Sequence, residues 1–546
     1  MSLRIGLDFD NTVIRYDAVF HRLAVRRGWL PARPALTKDT VKKRLLEADG
    51  NDLRWQALQA EAYGRGILGA SFFPGCRAFL RRAAAAGHEV FIVSHKSKTS
   101  HFDRSVKLRD WARRWLKSHA RGAIKPGNVF FATDRGAKVR KIAALDLDLF
   151  VDDLLPVLDH PAFPARTARI HFRSAGWAAV TRALDCVEKL GPAAFAAVEK
   201  ACKAAPVRVE RAARRGNNRL WRVTLEGGRR VLVKRYLVDS RDRRERGLAE
   251  FRALRLMWDN GIRAVPEPIH LEPGGAFAVM SWLDGADLRQ GRAGSAEVRQ
   301  AADFIRRLSG LRPSNFPEAA DSRRCLADYP RHIERRLERI REGAAALKSR
   351  PEARRFVAET VLPLKEAVLA RFFAECKRQG LDLEEPLPPS RRILSPSDFG
   401  FHNALREARG RMRFLDFEYF GQDDPAKLAC DFCHHAGFSL SPALKRLFVE
   451  RLAAGLPEPE AFLRRVDLLL DVIGLEWLLI VLNVLSADTR TRRKFAEPGL
   501  SEKALVLSRL KQARRIAIDL KDGIRPVSLR RVAVKKTDSK RTHAGR

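Results

Sequence analysis

Residues 4–12 read RIGLDFDNT, and this stretch decides the fold expected for the N-terminal part of the chain. The apolar residues 5–7 predict a buried β-strand, which Asp8 follows directly. Open α/β sheets place their ligand crevice at the carboxyl ends of the strands, so Asp8 and Asp10 are expected there. A carboxylate can attack a phosphorus atom, and a second carboxylic acid can protonate the leaving alkoxide and later activate water. The stretch therefore predicts a phosphoryl-transfer site at the edge of a sheet.

From residue 3 to about residue 172, short β-like runs alternate with amphipathic helical stretches. This alternation is typical of an α/β domain with a parallel sheet and helices on both faces. A helical insertion over residues 15–75 is expected to form a cap. Later strand ends supply what the site still needs, which is a hydrogen-bond donor to phosphate, a cation, and carboxylate oxygens for Mg²⁺. These groups are, in that order, Ser94, Lys138 and the pair Asp152-Asp153.

At these residues the chain resembles the haloacid dehalogenase (HAD) superfamily of phosphohydrolases. The resemblance covers residues 3–172 and implies a Rossmann-like fold with a magnesium-dependent phosphatase site. It depends on four motifs that occur in the family's order, namely residues 8–12, Val93-Ser94, Lys138 and residues 151–154.

The HAD resemblance also implies roles for the carboxylates. Asp8 is the nucleophile and Asp10 the general acid/base. Magnesium is expected at Asp8, at Asp10 through its backbone carbonyl, and at Asp152. Lys141 is an alternative to Lys138 as the cation, and the distance along the chain to Asp152 favours Lys138.

A second pattern begins at Pro206, where antiparallel strands are predicted before a long helical remainder that starts near residue 286. Lys234 ends the hydrophobic run 231–234, a position suited to holding the α- and β-phosphates of ATP. Glu250, on the predicted helix that follows, is expected to orient Lys234 through an ion pair. The predicted strands are 208–212, 220–225, 231–236 and 276–282.

The most informative downstream stretch is residues 393–403, ILSPSDFGFHN, followed by residues 413–418, RFLDFE. Phosphoryl transfer to a hydroxyl needs a group that accepts the hydroxyl proton. It also needs oxygen ligands for the magnesium that bridges the nucleotide phosphates. Asp398, Asn403 and Asp416 provide that set, so the stretch predicts a kinase active site.

The five-residue step from Asp398 to Asn403 and the short hairpin to Asp416 resemble those of the aminoglycoside phosphotransferase and choline kinase group of protein-kinase-like folds. The resemblance covers about residues 207–490 and implies a bilobal α+β domain. One departure is Pro396-Ser397, which stand where the family usually has His-Gly. By the resemblance, Asp398 is the catalytic base, Asn403 and Asp416 bind magnesium, Lys234 and Glu250 hold the ATP phosphates, and the adenine hinge runs from Met280 to Leu283.

The length and the charge of the chain limit the remaining interpretations. Single cores stop growing near ~250–300 residues, so a chain of 546 residues predicts two or more domains. The formal charge of +39 and the pI near 10.8 favour anionic partners. The chain has no RNA-binding signature and no P-loop, so nucleic acid is not expected as a specific partner. We predict a HAD-like domain at 1–175, a helical linker at 176–206, a kinase-like domain at 207–505 and a flexible basic tail at 506–546.

Seven widely spaced cysteines, with no secretory leader at the N-terminus, predict a cytoplasmic protein. Cys430 and Cys433 form a CxxC pair that lacks a second ligand pair at zinc spacing, so a buried helix face is favoured over a metal site. Residues 466–485 are the most apolar stretch, but they include groups that are costly inside hydrocarbon. We therefore predict a buried helix and no membrane span. The costly residues are Asp467, Asp471, Glu476 and Asn483.

Together these patterns predict a bifunctional enzyme. One site would hydrolyse a phosphomonoester, and the other would use ATP to phosphorylate a small-molecule hydroxyl, for which sugars or sugar phosphates are suitable. The departure at Pro396-Ser397 favours an alternative in which the kinase-like domain only senses nucleotide. His402 is interpreted as a packed or exposed histidine rather than a substrate contact.

Overall fold

The computed structural model of the protein describes most of the chain, and the described residues form two compact units. The first unit comprises residues 1–215 and 219–235, and the second comprises 216–218 and 236–546. The predicted domain limits stay predictions. The described residues are 2–172, 176–212, 218–236, 245–288, 293–311, 316–346, 351–486, 489 and 501–521.

The first unit alternates strands and helices, as its sequence predicts. Its strands are β1 (Arg4–Leu7), β2 (Ile14–Arg15), β3 (Ser71–Phe72), β4 (Glu89–His95), β5 (Val129–Ala132), β6 (Leu149–Asp152), β7 (Ala168–His171), β8 (Pro206–Arg211), β9 (Arg219–Leu225) and β10 (Arg230–Arg235). Its helices are α1 (Asp17–Arg26), α2 (Lys38–Asp49), α3 (Leu53–Tyr63), α4 (Cys76–Ala85), α5 (Leu108–His119), α6 (Arg135–Ala144), α7 (Leu155–Leu158), α8 (Gly176–Leu190) and α9 (Pro192–Cys202).

Five strands of this unit form a parallel sheet in the order β5-β4-β1-β6-β7. Ile5 and Leu7 on β1 are fully buried, because a central parallel strand is covered on both faces. Gly6 lies against the side chain of Phe150, where a larger residue would collide. The predicted parallel sheet is therefore present, and the carboxyl ends of β1, β4 and β6 meet at one edge.

Helices α1, α2 and α3 are inserted between β2 and β3, which pair as a short antiparallel ribbon. This insertion occupies the range predicted for the cap. Strands β8, β9 and β10 form an antiparallel group, and β8 packs against α8. The predicted linker 176–206 thus consists mainly of the helices α8 and α9, and α8 is packed within the first unit.

The second unit is mainly helical. Its strands are β11 (Pro268–Leu271), β12 (Phe277–Ser281), β13 (Ala286–Asp287), β14 (Ile393–Ser395), β15 (Ala404–Arg406), β16 (Met412–Phe414) and β17 (Gly421–Asp423). They pair antiparallel as β11/β12, β13/β15/β16 and β14/β17. Its helices are α10 (Arg246–Asp259), α11 (Ser295–Ser309), α12 (Asp328–Ala346), α13 (Pro351–Phe356), α14 (Leu362–Gln379), α15 (Pro425–His434), α16 (Pro442–Ala453), α17 (Pro459–Leu482) and α18 (Glu502–Lys521).

Helix α17 forms the centre of this unit and packs against α12, α14, α15 and α18. Over 459–485 it is long and apolar enough to cross a membrane by length and composition, but 83% of its apolar window is buried inside the protein. Its buried Glu476 pairs with Arg323 at 3.2 Å. These contacts agree with the predicted buried helix. Cys430 and Cys433 on α15 are buried as well, as predicted.

The prediction of a flexible tail from residue 506 is wrong for residues 506–521, which belong to α18. This helix packs against α17, and Gln512 donates a hydrogen bond to the Ala436 carbonyl at 2.8 Å. The apolar stripe is hard to recognise in the sequence because two of its members are alanines and basic residues surround it. The buried residues are Val506, Leu510, Ala513, Ala517 and Leu520. The rest of the predicted tail, 522–546, lies outside the described residues.

Two leucines of α18 allow a test of this packing. Leu510 is 1% exposed and Leu507 is 42% exposed. We expect Leu510→Ala to lower the free energy of unfolding by about 2–5 kcal/mol, and Leu507→Ala to change it by no more than about 0.5 kcal/mol. Denaturant unfolding of both variants measures the difference. Equal and small effects would show that the segment is not packed.

Candidate phosphoryl-transfer sites

The strand ends of the first unit bring together the residues that the HAD motifs select. Asp8, Ser94 and Asp152 follow or end β1, β4 and β6, and all three are buried. Lys138 extends from α6 to the same place, where its ammonium group bonds to Asp8 Oδ1 and lies 2.6 Å from Asp152 Oδ2. Lys141 instead lies over the ring of Phe130, 4.7 Å from its centroid. The structure therefore places Lys138, and not Lys141, against the carboxylates.

Burial controls the protonation of this cluster. It raises the pKa of Asp8 to about 6, although the Lys138 ammonium opposes the shift. Burial also raises the pKa values of Asp152 and Asp153. Carboxylate oxygens of Asp8, Asp152 and Asp153 lie within 4.8 Å of one another. Three acids this close repel each other, and a hard divalent cation such as Mg²⁺ fits an oxygen donor set of this kind.

The Asp10 carboxylate makes a different set of contacts. It accepts a hydrogen bond from the Tyr16 hydroxyl at 2.6 Å and pairs with the Lys96 ammonium at 2.7 Å. The Lys96 side chain is only 4% exposed, so this ion pair is sheltered from solvent. Sequence reasoning missed both partners. Lys96 lies two residues after Ser94 in the same strand-end segment, and that position was the available signal.

The buried ion pair of Lys138 gives a prediction that needs no substrate. Lys138→Met leaves two buried carboxylates without their cation, which costs about 3–5 kcal/mol when both are ionised. Because Lys138 lowers the pKa of Asp8, its loss raises that pKa above about 6, so the acid is protonated in the folded protein at low pH. Stability of the variant should then fall as the pH rises, and its deficit should be larger at pH 8 than at pH 5. Calorimetry at both pH values measures the stability of the variant relative to the unaltered protein, with Lys141→Met as the control. A deficit that does not change with pH contradicts the prediction.

In the second unit, the hairpin of β15 and β16 brings two of the predicted magnesium ligands to one end. Asn403 directly precedes β15, and Asp416 follows β16 by two residues. The Leu415 amide donates to the Asn403 carbonyl at 2.8 Å, which fixes the two ends together. The Asn403 side chain donates to the backbone carbonyl of Asp398 at 3.3 Å. The structure therefore joins Asp398, Asn403 and Asp416 in one region.

Two histidines face the predicted catalytic base. Asp398 Oδ1 lies 3.2 Å from His402 Nε2 and 3.3 Å from His435 Nε2. Burial raises the pKa of Asp398, but the two imidazoles outweigh burial and hold this pKa well below its usual range. The carboxylate side chain remains 43% exposed, so a substrate can reach it. His402 is thus close to the predicted base, and His435 is a neighbour that sequence reasoning missed.

The tautomer of His435 decides between a hydrogen bond and a metal site at this cluster. Atoms of Asp398, His402 and His435 lie close enough to bind one ion. However, the Gly437 amide donates to His435 Nδ1 at 2.9 Å. Burial lowers the pKa of His435, so the ring is neutral at pH 7 and its single proton lies on Nε2. A nitrogen that carries a proton cannot ligate a metal, so the geometry favours a hydrogen bond from His435 to Asp398.

The other predicted nucleotide ligands are placed as follows. Glu250 on α10 accepts hydrogen bonds from the Tyr236 hydroxyl at 2.7 Å and from the Phe417 amide at 3.2 Å, so it holds the backbone next to Asp416. Lys234 is buried on β10 in the first unit, and its ion pair with Glu250 stays a prediction. The hinge also stays a prediction, with Met280 buried on β12 and Leu283 just beyond that strand.

The loop that carries Asp398 and the hairpin that joins Asn403 to Asp416 are arranged as expected for a kinase-like phosphotransferase domain. Residues 208–463 match the family model described as "Phosphotransferase enzyme family" (APH), and this segment is an APH phosphotransferase domain. The match leaves the N-terminal sheet unassigned, so the HAD resemblance stays a prediction. No curated protein matches the chain.

Solved kinase structures are also similar to this chain. An ethanolamine kinase of Plasmodium vivax is 12% identical, covers 62% of this chain and 95% of its own, and has a TM-score of 0.40. A choline kinase of Streptococcus pneumoniae is 13% identical, covers 62% and 98%, and has a TM-score of 0.39. A spectinomycin phosphotransferase solved with ADP is 12% identical, covers 58% and 94%, and also scores 0.39.

His435 provides the test of the Asp398 geometry. We expect His435→Phe to lower Mg·ATP turnover by about 10- to 100-fold, as for other residues that orient a catalytic group, while ATP affinity stays unchanged. His435→Gln retains an amide donor and should recover part of the rate. ADP formation and nucleotide binding, measured separately, distinguish this role from unfolding. Equal turnover in His435→Phe and the unaltered protein contradicts it.

Proposed function

We propose that the chain is a bifunctional phosphoryl-transfer enzyme. Its APH domain would transfer the γ-phosphoryl group of ATP to the hydroxyl of a small molecule such as a sugar. Its N-terminal unit would hydrolyse a phosphomonoester through an aspartyl-phosphate. The observation that supports the pair is that Asp8, Asp152 and Lys138 meet at one sheet edge of the first unit, while Asp398, Asn403 and Asp416 lie together at one hairpin of the second. Its seven cysteines are unpaired, which suits the cytoplasm that we propose as its location.

In the kinase reaction, Asp398 would accept the proton of the substrate hydroxyl as its oxygen attacks phosphorus. Asn403 and Asp416 would hold magnesium, which neutralises charge on the nucleotide phosphates when bound. Glu250 keeps the segment that carries Asp416 in place through the Phe417 amide. His435 leaves the second carboxylate oxygen of Asp398 open to substrate, because both imidazoles approach Oδ1.

In the hydrolase reaction, an Asp8 oxygen would attack phosphorus and the bond to the leaving oxygen would break. Asp10 would give the leaving alkoxide its proton, and would then take a proton from the water that cleaves the aspartyl-phosphate. Lys96, whose ammonium group lies 2.7 Å from Asp10 Oδ2, would hold the Asp10 side chain in position for both steps. Lys138 balances Asp8 and Asp152, and Mg²⁺ at Asp8, Asp152 and the Asp10 carbonyl would balance the phosphate.

Two aspartate variants test the proposal. The unaltered protein, Asp8→Asn and Asp398→Asn are incubated with Mg·ATP and a panel of sugars, sugar phosphates and amino alcohols, and ADP and free phosphate are followed separately. We expect acceptor-dependent ADP to be lost only in Asp398→Asn and phosphate release only in Asp8→Asn, each by at least about 100-fold. EDTA should abolish both activities.

The exposed Asp159→Asn serves as the control and should behave as the unaltered protein. If no acceptor yields ADP while ATP still binds, the APH domain is a nucleotide sensor. That outcome is the alternative that the departure at Pro396-Ser397 raises. If phosphate release survives Asp8→Asn, the hydrolase part is wrong.

A further inference from the structure

We propose that the N-terminal site takes a phosphomonoester whose leaving group carries a second anionic group, and that Lys38 of the cap binds this group. The inference builds on the proposed hydrolase function and names its substrate class. It starts from one lysine that the reaction itself does not use.

Lys38 is the first residue of α2, and it extends to the edge of the phosphate site. Its ammonium group donates to Asn11 Oδ1 at 3.3 Å, and Asn11 directly follows Asp10. The Asn11 backbone has a φ of 59°, so a turn places this side chain where the strand-end segment leaves the site. The cap insertion therefore supplies a cation beside the predicted acid/base.

The other two ammonium groups at this site have carboxylate partners. Lys96 pairs with Asp10, and Lys138 with Asp8 and Asp152. Within the described ranges, the structure records no ion pair for Lys38. Its ammonium group instead lies 5.6 Å from the ring centroid of Tyr63 and 5.8 Å from that of Phe20. Unlike Lys96 and Lys138, Lys38 therefore has a charge that an anionic ligand can balance.

Tyr63 provides a surface for the organic part of such a ligand. The Lys96 ammonium group also lies near this ring, 4.9 Å from its centroid. Burial raises the pKa of Tyr63, so its hydroxyl stays neutral and adds no negative charge. Tyr16 packs edge-on against Tyr63 at 4.9 Å while its own hydroxyl bonds to Asp10. The rim of the site therefore places the Tyr63 ring beside the Lys38 ammonium group, and this pair suits an organic anion.

The positions of the charged side chains predict where the two anionic groups of the substrate would bind. The phosphate of the substrate would meet Lys138 and the carboxylate cluster that suits Mg²⁺, as proposed above. A carboxylate or second phosphate on the leaving group would meet Lys38. When the phosphorus–oxygen bond breaks, the leaving oxygen takes a proton from Asp10, and the alcohol departs with its own anion unchanged. Water then cleaves the aspartyl-phosphate on Asp8 and releases phosphate, and no other reactant is required.

The experiment compares two esters of nearly the same shape, 4-carboxyphenyl phosphate and 4-carbamoylphenyl phosphate. Calorimetry with Asp8→Asn and Mg²⁺ measures binding without turnover. We expect the carboxylate ester to bind about tenfold more tightly or better, as for a hydrogen-bonded charge pair. Lys38→Met in the same background should remove this preference and leave the affinity for the carbamoyl ester unchanged. Lys38→Arg should retain it.

Lys42→Met is the matched control, because Lys42 lies on the same helix over Trp55, 5.9 Å from its ring centroid, and is exposed. It should retain the full preference. Equal affinity for the two esters, binding of neither, or a preference that survives Lys38→Met would overturn the inference. If the preference depends on Lys38 but the unaltered protein hydrolyses neither ester, the anion site stands and the hydrolase function fails.

Discussion

Buried carboxylates are the constraint on which both units depend. An ionised acid removed from water costs several kcal/mol unless a cation or hydrogen bonds replace the lost solvent. In the first unit, Lys138 meets this requirement for Asp8 and Asp152 at once, and its side chain is only 1% exposed. The sheet edge can hold these acids together because α6 delivers that ammonium group. Even so, burial leaves the pKa of Asp8 at about 6. The Lys138 ammonium group alone therefore does not offset the cost of burying the ionised carboxylates. The divalent cation that we propose for this site would complete the balance.

In the second unit, buried acids form ion pairs that stabilise the fold. Lys427 lies between Asp423 and Asp431, and Arg465 pairs with Asp424 at 2.6 Å. Asp424 also caps α15 by accepting from the Ala426 amide. Burial still raises the pKa of Asp423 to about 6, so Lys427 offsets only part of the cost of burying this acid. The pairs made by Asp424 and Asp431 join α15 to its surroundings.

Asp398 differs from these structural acids in the kind of partner it has. Its neighbours are the imidazoles of His402 and His435 rather than ammonium or guanidinium groups, and 43% of its side chain remains exposed. Asp398 therefore keeps a carboxylate edge that a substrate can reach, whereas Asp423 and Asp424 are buried against a lysine or an arginine. The contrast separates the predicted catalytic base from the structural acids within a single stretch of the chain.

The sequence was sufficient for features that local pattern controls. Alternating strands and helices predict the parallel sheet, and strand-end positions predict the meeting of Asp8, Ser94 and Asp152. The short spacing from Asn403 to Asp416 predicts a hairpin. Contacts between distant segments could not be predicted in this way. His435 follows α15 and reaches Asp398 only through tertiary packing. The position of Lys96 just after Ser94 places it at the site but does not identify Asp10 as its partner. Helix α18 was missed because alanines fill part of its buried stripe, and a helix that is stabilised by docking need not show strong amphipathicity.

The departure at Pro396-Ser397 can now be interpreted in physical terms. Ser397 has a φ of 63°, in the left-handed region that favours glycine, so the backbone keeps a conformation suited to the usual glycine. The Ser395 hydroxyl accepts the Ser397 amide at 3.0 Å, which offsets part of the cost of that conformation. The histidine that usually precedes the catalytic aspartate is absent, but His435 brings an imidazole to Asp398 from another element. The change therefore alters how the loop is supported and leaves the charges around phosphoryl transfer in place. This favours catalysis over nucleotide sensing for the domain.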